Sequence, residues 1–208
     1  MEILYCDKDI VVCLKPVGLD SQQQIPSLIK ENVGGEVYAV HRLDLNVGGL
    51  MVYARNKTAA ANLSRCIQEG KMVKEYVALV HGIPPENEIW KDLLWKDSRK
   101  NKVYVVKRVR KGVKKAKLEM KRLTAKEPSL VHIRLYTGRS HQIRVQFASR
   151  GYPLVGDHKY GSRDKKTAPM LFSYKISFPL NGELKCFERL PEWTEISKSK
   201  LGEVIEWH

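Results

Sequence analysis

Long apolar runs are missing from this chain of 208 residues. The longest near the N-terminus, Ile10-Val11-Val12-Cys13-Leu14, is too short for the apolar core of a secretory signal. No stretch approaches the ~20 apolar residues of a membrane-spanning helix. Cysteine is scarce: Cys6, Cys13, Cys66 and Cys186 show no CxxC spacing, which removes support for a disulfide framework or a zinc site. There is no G-x-x-x-x-G-K-[ST] loop and no G-x-G-x-x-G run, so nucleotide hydrolysis and dinucleotide redox chemistry lose their usual phosphate cradle. Internal repeats and low-complexity tracts are also absent. The expectation is a cytoplasmic protein with free thiols, no metal and no membrane contact.

Negative charge is in short supply. Lys and Arg number 37 against 23 Asp and Glu, a net charge of +14. The imbalance is local: Lys96 to Lys126 holds fourteen basic and two acidic residues, the rest of the chain twenty-three and twenty-one. A folded domain with one concentrated basic block suits a polyanion, nucleic acid first and an anionic membrane surface second. A solvated, merely solubilising face is the bland alternative. With 43% hydrophobic and 29% charged residues the composition is that of a globular protein. It is expected to form one domain over residues 1–208, monomeric because no apolar surface stripe stands out.

β-branched and alternating runs predict strands at Ile10–Lys15, Glu36–Val40, Gly49–Ala54, Val73–Val80, Leu130–Tyr136 and Leu171–Phe178. Val103–Val106 and Leu118–Met120 read as two more, turned at Gly112 into a basic hairpin within residues 96–126. Lys57–Glu69 reads as a helix capped by Asn56 or Thr58 and stopped at Gly70. His141–Ser149 reads as a short helix capped by Ser140, and the tail after Pro191 as another. Asn181-Gly182 is a hairpin signal. Many strands and few helices predict an α+β fold around a mixed, largely antiparallel sheet with flanking helices and loops.

Two segments gather side chains able to do chemistry. His41-Arg42-Leu43-Asp44 lies on a loop followed by Gly48-Gly49, either a site held by a rigid sheet or a local Arg42–Asp44 ion pair. Thr137 to Arg144 packs Arg139, Ser140, His141, Gln142 and Arg144 together, either an anion site at a helix start or a solvated cap. Ser140-His141 is a poor nucleophile–base pair, since adjacent side chains point apart and no G-x-S-x-G elbow is present. His132, His141, Asp157 and His158 lack any metal-ligand spacing. Tyr76 is either a core residue or a surface on which a base can stack.

Taken in order, four segments resemble the RluA-type pseudouridine synthase family over about residues 3–180. They are the strand ending in Lys15-Pro16-x-Gly18; His41-Arg42-Leu43-Asp44 followed by Gly49–Ala54; Lys74-x-Tyr76-x-Ala78 up to Gly82; and Gly138–Arg144 with Gly151–Asp157 and Tyr160-Gly161 behind it. Two departures stand out. Val47-Gly48 occupies the place of the family's usual Thr-Ser, which removes hydroxyls from that loop. Ser140 replaces a threonine and keeps one.

The resemblance implies isomerisation of uridine in structured ribosomal or transfer RNA, by base flipping and rearrangement of the glycosidic bond, without cofactor or metal. It assigns Asp44 as the carboxylate acting at the sugar, at C1′ or C2′, Arg144 as its ion-pair partner and Tyr76 as the ring stacked on uracil. Arg42 would fill the RNA stack left by the flipped base. Arg139 and His141 would shape the site or hold phosphate, His41 would bind RNA, and the accessory RNA-binding domain that many members carry at the N-terminus is expected to be absent. Lys107, Arg108, Lys114 and Lys115 would grip the RNA backbone. A non-catalytic RNA-binding protein on the same fold and a hydrolase that releases uracil are the rival readings.

Overall fold

The computed structural model describes residues 1–194. In chain order the elements are β1 (Glu2–Cys6), β2 (Ile10–Lys15), α1 (Gln24–Val33), β3 (Tyr38–Ala39), β4 (Gly48–Ala54), α2 (Lys57–Gln68), β5 (Val73–Val80), β6 (Asn87–Asp97), β7 (Lys102–Val106), β8 (Val113–Arg122), β9 (Ser129–Leu135), α3 (Gln142–Ala148), β10 (Leu171–Leu180) and β11 (Glu183–Glu188). A single 3-10 turn covers His158–Tyr160. The fold is α+β, and the chain divides into two compact units. One comprises residues 1–75 with 172–189; the other comprises 76–171 with the described end of the chain from Leu190.

In the first unit the strands run in the order β1-β2-β4-β10, with β3 also on β4 and β11 also on β10. β4 is buried along its whole length, so both its faces are covered. Leu50, Val52 and Ala54 on one face join Ile10, Val12, Ile176 and Phe178 in a core closed by Ala59 and Leu63 of α2. Each such side chain contributes about 1.5–3 kcal/mol on leaving water. Asn56 caps α2, its side chain accepting from the Ala59 amide at 2.8 Å. α1 has no counterpart in the pattern reading. Its Pro26 is in the first turn, where a missing N–H is not missed.

Gly49 has a positive φ of 126° and pairs with Ser173 where β4 and β10 run parallel; a Cβ there would collide with the Ser173 backbone. The Asn181-Gly182 turn joins β10 to β11 with both residues at positive φ, as a two-residue hairpin requires.

The second unit orders its strands β5-β9-β8-β6-β7. Val145 of α3 packs on Leu94, Val103 and Ala116, and Phe147 meets Trp90 edge-on at 4.6 Å. The expected basic hairpin does not form. β6, which pattern reading missed, lies between its two arms: β7 pairs with one edge of β6 and β8 with the other, both antiparallel. The segment Lys107–Gly112 therefore crosses β6 rather than turning back on itself. It crosses on the face opposite α3, with the Arg110 guanidinium 4.8 Å from the centre of the Trp95 ring. Ser140 does not cap α3, because His141, in the left-handed region at φ 51°, occupies that position. The helix expected after Pro191 falls mainly in 195–208, outside the described residues; Pro191 to Thr194 form a turn.

Candidate active site

In the first unit, the loop bearing Asp44 is fastened carbonyl by carbonyl. Ser21 Oγ donates to Leu43 O at 3.0 Å. Leu45 O accepts from the Gly18 amide at 2.9 Å and from Lys15 Nζ at 3.0 Å. Lys15 Nζ donates also to Val47 O at 2.8 Å and to Pro16 O at 2.9 Å. The Val47 amide closes the turn onto Asp44 O at 3.0 Å. Tyr53, buried in β4, holds Ser21 O at 2.7 Å. The Lys15-Pro16-x-Gly18 segment is thus a bracket for the aspartate loop, with Gly18 at φ 89° aiming its amide inwards. A carboxylate presented this way is held still before any substrate arrives.

Lys15 is the residue whose role no spacing revealed. It is 1% exposed, and all three ammonium protons meet carbonyl oxygens. Burial pushes its pKa down to about 8, against the opposing pull of Asp44 and Asp20. Lys15→Met should cost about 10²-fold in turnover, the scale on which small misplacements of a reacting group act. Single-turnover assays of the variant would check it; wild-type rates would rule the bracket out. Above pH 8 the amine has only two protons for three carbonyls, so wild-type turnover should decline there. Stability moves the other way. The folded value lies below the free value of 10.5, so the unfolded chain binds more protons between about 8 and 10.5, and this group makes stability rise with pH in that window.

His41 is placed differently from expectation. Its Nε2 accepts from the Val52 amide at 3.1 Å, and burial, reinforced by the charge of Lys74, pushes its pKa down to about 3. The ring is neutral and ties the loop to β4; it is not a cation for phosphate. Arg42, one residue on, is exposed.

In the second unit, Tyr76 is buried on β5. Arg144 of α3 is buried and forks onto Asp157, Nε to Oδ2 at 2.7 Å and Nη2 to Oδ1 at 2.8 Å. Its guanidinium lies 5.2 Å from the Tyr160 ring centre. Tyr160 accepts from the Val103 amide at 2.8 Å and meets His141 Nδ1 at 2.9 Å. His141 is thereby joined to this packed network. Gln142 reaches back from the start of α3 to the loop ahead of it and to β8, its Oε1 accepting from the Arg139 amide and Thr137 Oγ1 and its Nε2 donating to Lys117 O. Arg139 is exposed, its Nε held by Lys115 O at 3.0 Å. Lys107 and Arg108 stand exposed on the crossing segment, Lys114 and Lys115 at the start of β8.

A serine, a histidine and an aspartate meet at a place pattern reading did not mark. His81 Nε2 lies 3.1 Å from Asp164 Oδ2 and 3.2 Å from Ser162 Oγ. Ser162 donates its proton to Asp164, and that bond and the Gly156 amide hold the Asp164 carboxyl well below the usual range. The Ser162 oxygen also accepts from the Gly156 amide at 3.2 Å, so the hydroxyl is engaged in holding the loop. The cluster clasps the loop that carries Asp157. Gly156 belongs to the same tight passage, at φ 81° with room for a Cβ denied by Ala168 O. Among the described residues no grouping of His, Cys, Asp and Glu could hold a metal ion, and no helix is long and apolar enough to cross a membrane.

Comparison with known proteins agrees with these motifs. Residues 9–149 match the RNA pseudouridylate synthase family model. An uncharacterized RNA pseudouridine synthase of Aquifex aeolicus is 36% identical, over 90% of this chain and 68% of its own length. The dual-specificity RNA pseudouridine synthase RluA of Escherichia coli is 32% identical, over 89% of this chain and 91% of its own. The ribosomal large subunit pseudouridine synthase C of a Buchnera aphidicola strain is 37% identical, and the chain spans 53% of its length. In fold, the human RNA pseudouridylate synthase domain containing 1 superposes with a TM-score of 0.82 over 97% of this chain and 93% of its own, at 23% identity. The chain belongs to the RNA pseudouridine synthase family, of the RluA type.

Proposed function

We propose that this protein isomerises specific uridines of structured ribosomal or transfer RNA to pseudouridine. The observation that carries the reading is the bracketed Asp44 loop: an aspartate in the family's His-Arg-Leu-Asp motif, fixed at the carbonyls on both sides of it. Breaking the N1–C1′ bond builds positive character at the sugar, which a carboxylate stabilises or traps. The freed uracil stays bound, turns, and re-bonds through C5. C5 gives its proton to solvent and N1, freed from the sugar, takes one up, so the product is an isomer of the substrate. Asp44 supplies the carboxylate, Tyr76 the ring that stacks on the base and Arg144 the buried cation. Arg42, exposed beside Asp44, replaces the flipped base in the RNA stack, where a planar cation offsets the few kcal/mol of unstacking. The name of one relative, a ribosomal large subunit pseudouridine synthase, supports ribosomal RNA among the substrates, and that of another, a dual-specificity enzyme, supports more than one kind of target.

The test uses RNA carrying tritium at uracil C5, with total transfer RNA and ribosomal RNA run separately. Release of tritium to water from either pool is expected and names the substrate class; no release from both refutes the reading.

The basic block grips the RNA backbone. Reversing Lys107, Arg108, Lys114 and Lys115 to Glu should weaken binding by about 10²-fold or more at physiological salt and flatten the slope of log affinity against log salt by about three. A salt titration of binding checks this, and an unchanged slope refutes it.

A further inference from the structure

Strand alternation divides the second unit's sheet into two faces of different chemistry. Towards α3 lie Trp90, Leu94 and Ala116, all buried. Away from α3 lie Trp95, Tyr104, Lys115 and Lys117, with Tyr136 just beyond β9. We propose that this outer face is a platform for single-stranded RNA, taking unpaired nucleotides next to the folded element that contains the target uridine. The proposal rests on the reading of the chain as an enzyme of RNA.

The outer face mixes rings and cations in contact. Tyr104 and Trp95 are neighbours across β6 and β7, 6.3 Å between ring centres, and Arg110 continues the pile over Trp95 at 4.8 Å. Tyr136 is 41% exposed, with Lys117 Nζ 3.9 Å from its ring centre and the Arg134 guanidinium at 5.6 Å. Its hydroxyl engages Glu119, an acid of the same face, at 2.6 Å. Ile89 and Val109 are also exposed, at 53% and 74%. A face serving only solubility needs lysines and no rings. Rings and guanidinium planes set among cations bind what carries both flat bases and phosphates.

Topology favours a single strand over a duplex. Arg144 is on α3, on the other side of this sheet. The sheet ends at β7, and the basic segment Lys107–Gly112 leaves that end strand to cross the outer face. An RNA touching both faces must bend around the β7 edge. A duplex is too stiff to turn so sharply within one small domain, whereas an unpaired strand is not.

The test is fluorescence anisotropy with a labelled oligoadenylate of about a dozen nucleotides and a blunt RNA duplex of similar length. The variant is Arg110→Gln with Tyr136→Leu, both exposed positions, checked for an unchanged melting curve. Affinity for the single strand should fall about tenfold or more, with duplex affinity unchanged. Unchanged single-strand affinity, or equal loss for both probes, would overturn the platform. If the wild type makes pseudouridine while the variant binds the single strand as before, the platform alone is wrong. If the wild type binds neither RNA and makes no pseudouridine, the RNA reading falls and takes the platform with it.

Discussion

Asp44→Asn is expected to abolish uridine isomerisation, lowering turnover by at least about 10³-fold, while the protein folds and binds RNA as before. The substitution keeps the shape of the side chain. It leaves the loop carbonyls with their donors, since Ser21, Gly18, Lys15 and the Val47 amide bind backbone atoms rather than the carboxylate. What is lost is a negative charge able to meet a developing cation at the sugar. The same substitution removes one of the charges that hold the Lys15 ammonium in place, so the Lys15 pKa should fall further. The descending limb of the variant's residual pH profile should then shift to lower pH. Single-turnover tritium release together with filter binding measures both effects. Activity near wild type would remove Asp44 from the reaction, and loss of RNA affinity in step with activity would make it a binding residue.

Asp157→Ala is expected to have the largest effect on stability. Asp157 is 1% exposed and takes a two-point bond from Arg144, itself buried. Removing Asp157 takes a two-point charged bond from a guanidinium held out of water, which costs about 3–5 kcal/mol. In a domain of this size that lowers the melting temperature by about 10 °C. Asp157→Asn keeps one acceptor and the volume and should cost less. Turnover should fall in both variants, since Arg144 loses the group that aims it. Thermal melting and single-turnover rates on the two proteins decide the point. An unchanged midpoint in Asp157→Ala would mean that the pair is not a structural tie.

What could be read from the sequence was whatever is local or periodic. The strands at Ile10–Lys15, Val73–Val80 and Gly49–Ala54, the capped helix from Lys57 and the Asn181-Gly182 turn all follow from alternation, capping chemistry and backbone freedom. β6 was not legible: Lys91, Asp92, Lys96 and Asp97 interrupt its apolar residues, and only the paired strands on both sides make it central. Missing it turned a crossing segment into a hairpin and hid the face on which Lys107 to Lys111 stand.

The motifs marked Asp44, Tyr76 and Arg144 as candidates, but not the residues that position Asp44 and Arg144. Lys15 acts through carbonyl oxygens some thirty positions away, and Asp157 holds Arg144 across a loop. Side-chain bonds to distant backbone leave no period in a sequence. His41 shows the converse. Beside Arg42 it reads as another RNA ligand, and only burial against β4 makes it a neutral acceptor.

The most direct measurement is of product. RNA labelled in the uracil ring is incubated with the wild-type protein, digested to nucleosides and resolved by chromatography. Labelled pseudouridine, with no free uracil and none of either product from Asp44→Asn, is the expected result. Free uracil instead of pseudouridine would make the protein a glycosidic hydrolase. Unmodified uridine in every RNA that the protein binds tightly would make it a binding protein on this fold, and either outcome contradicts the assignment.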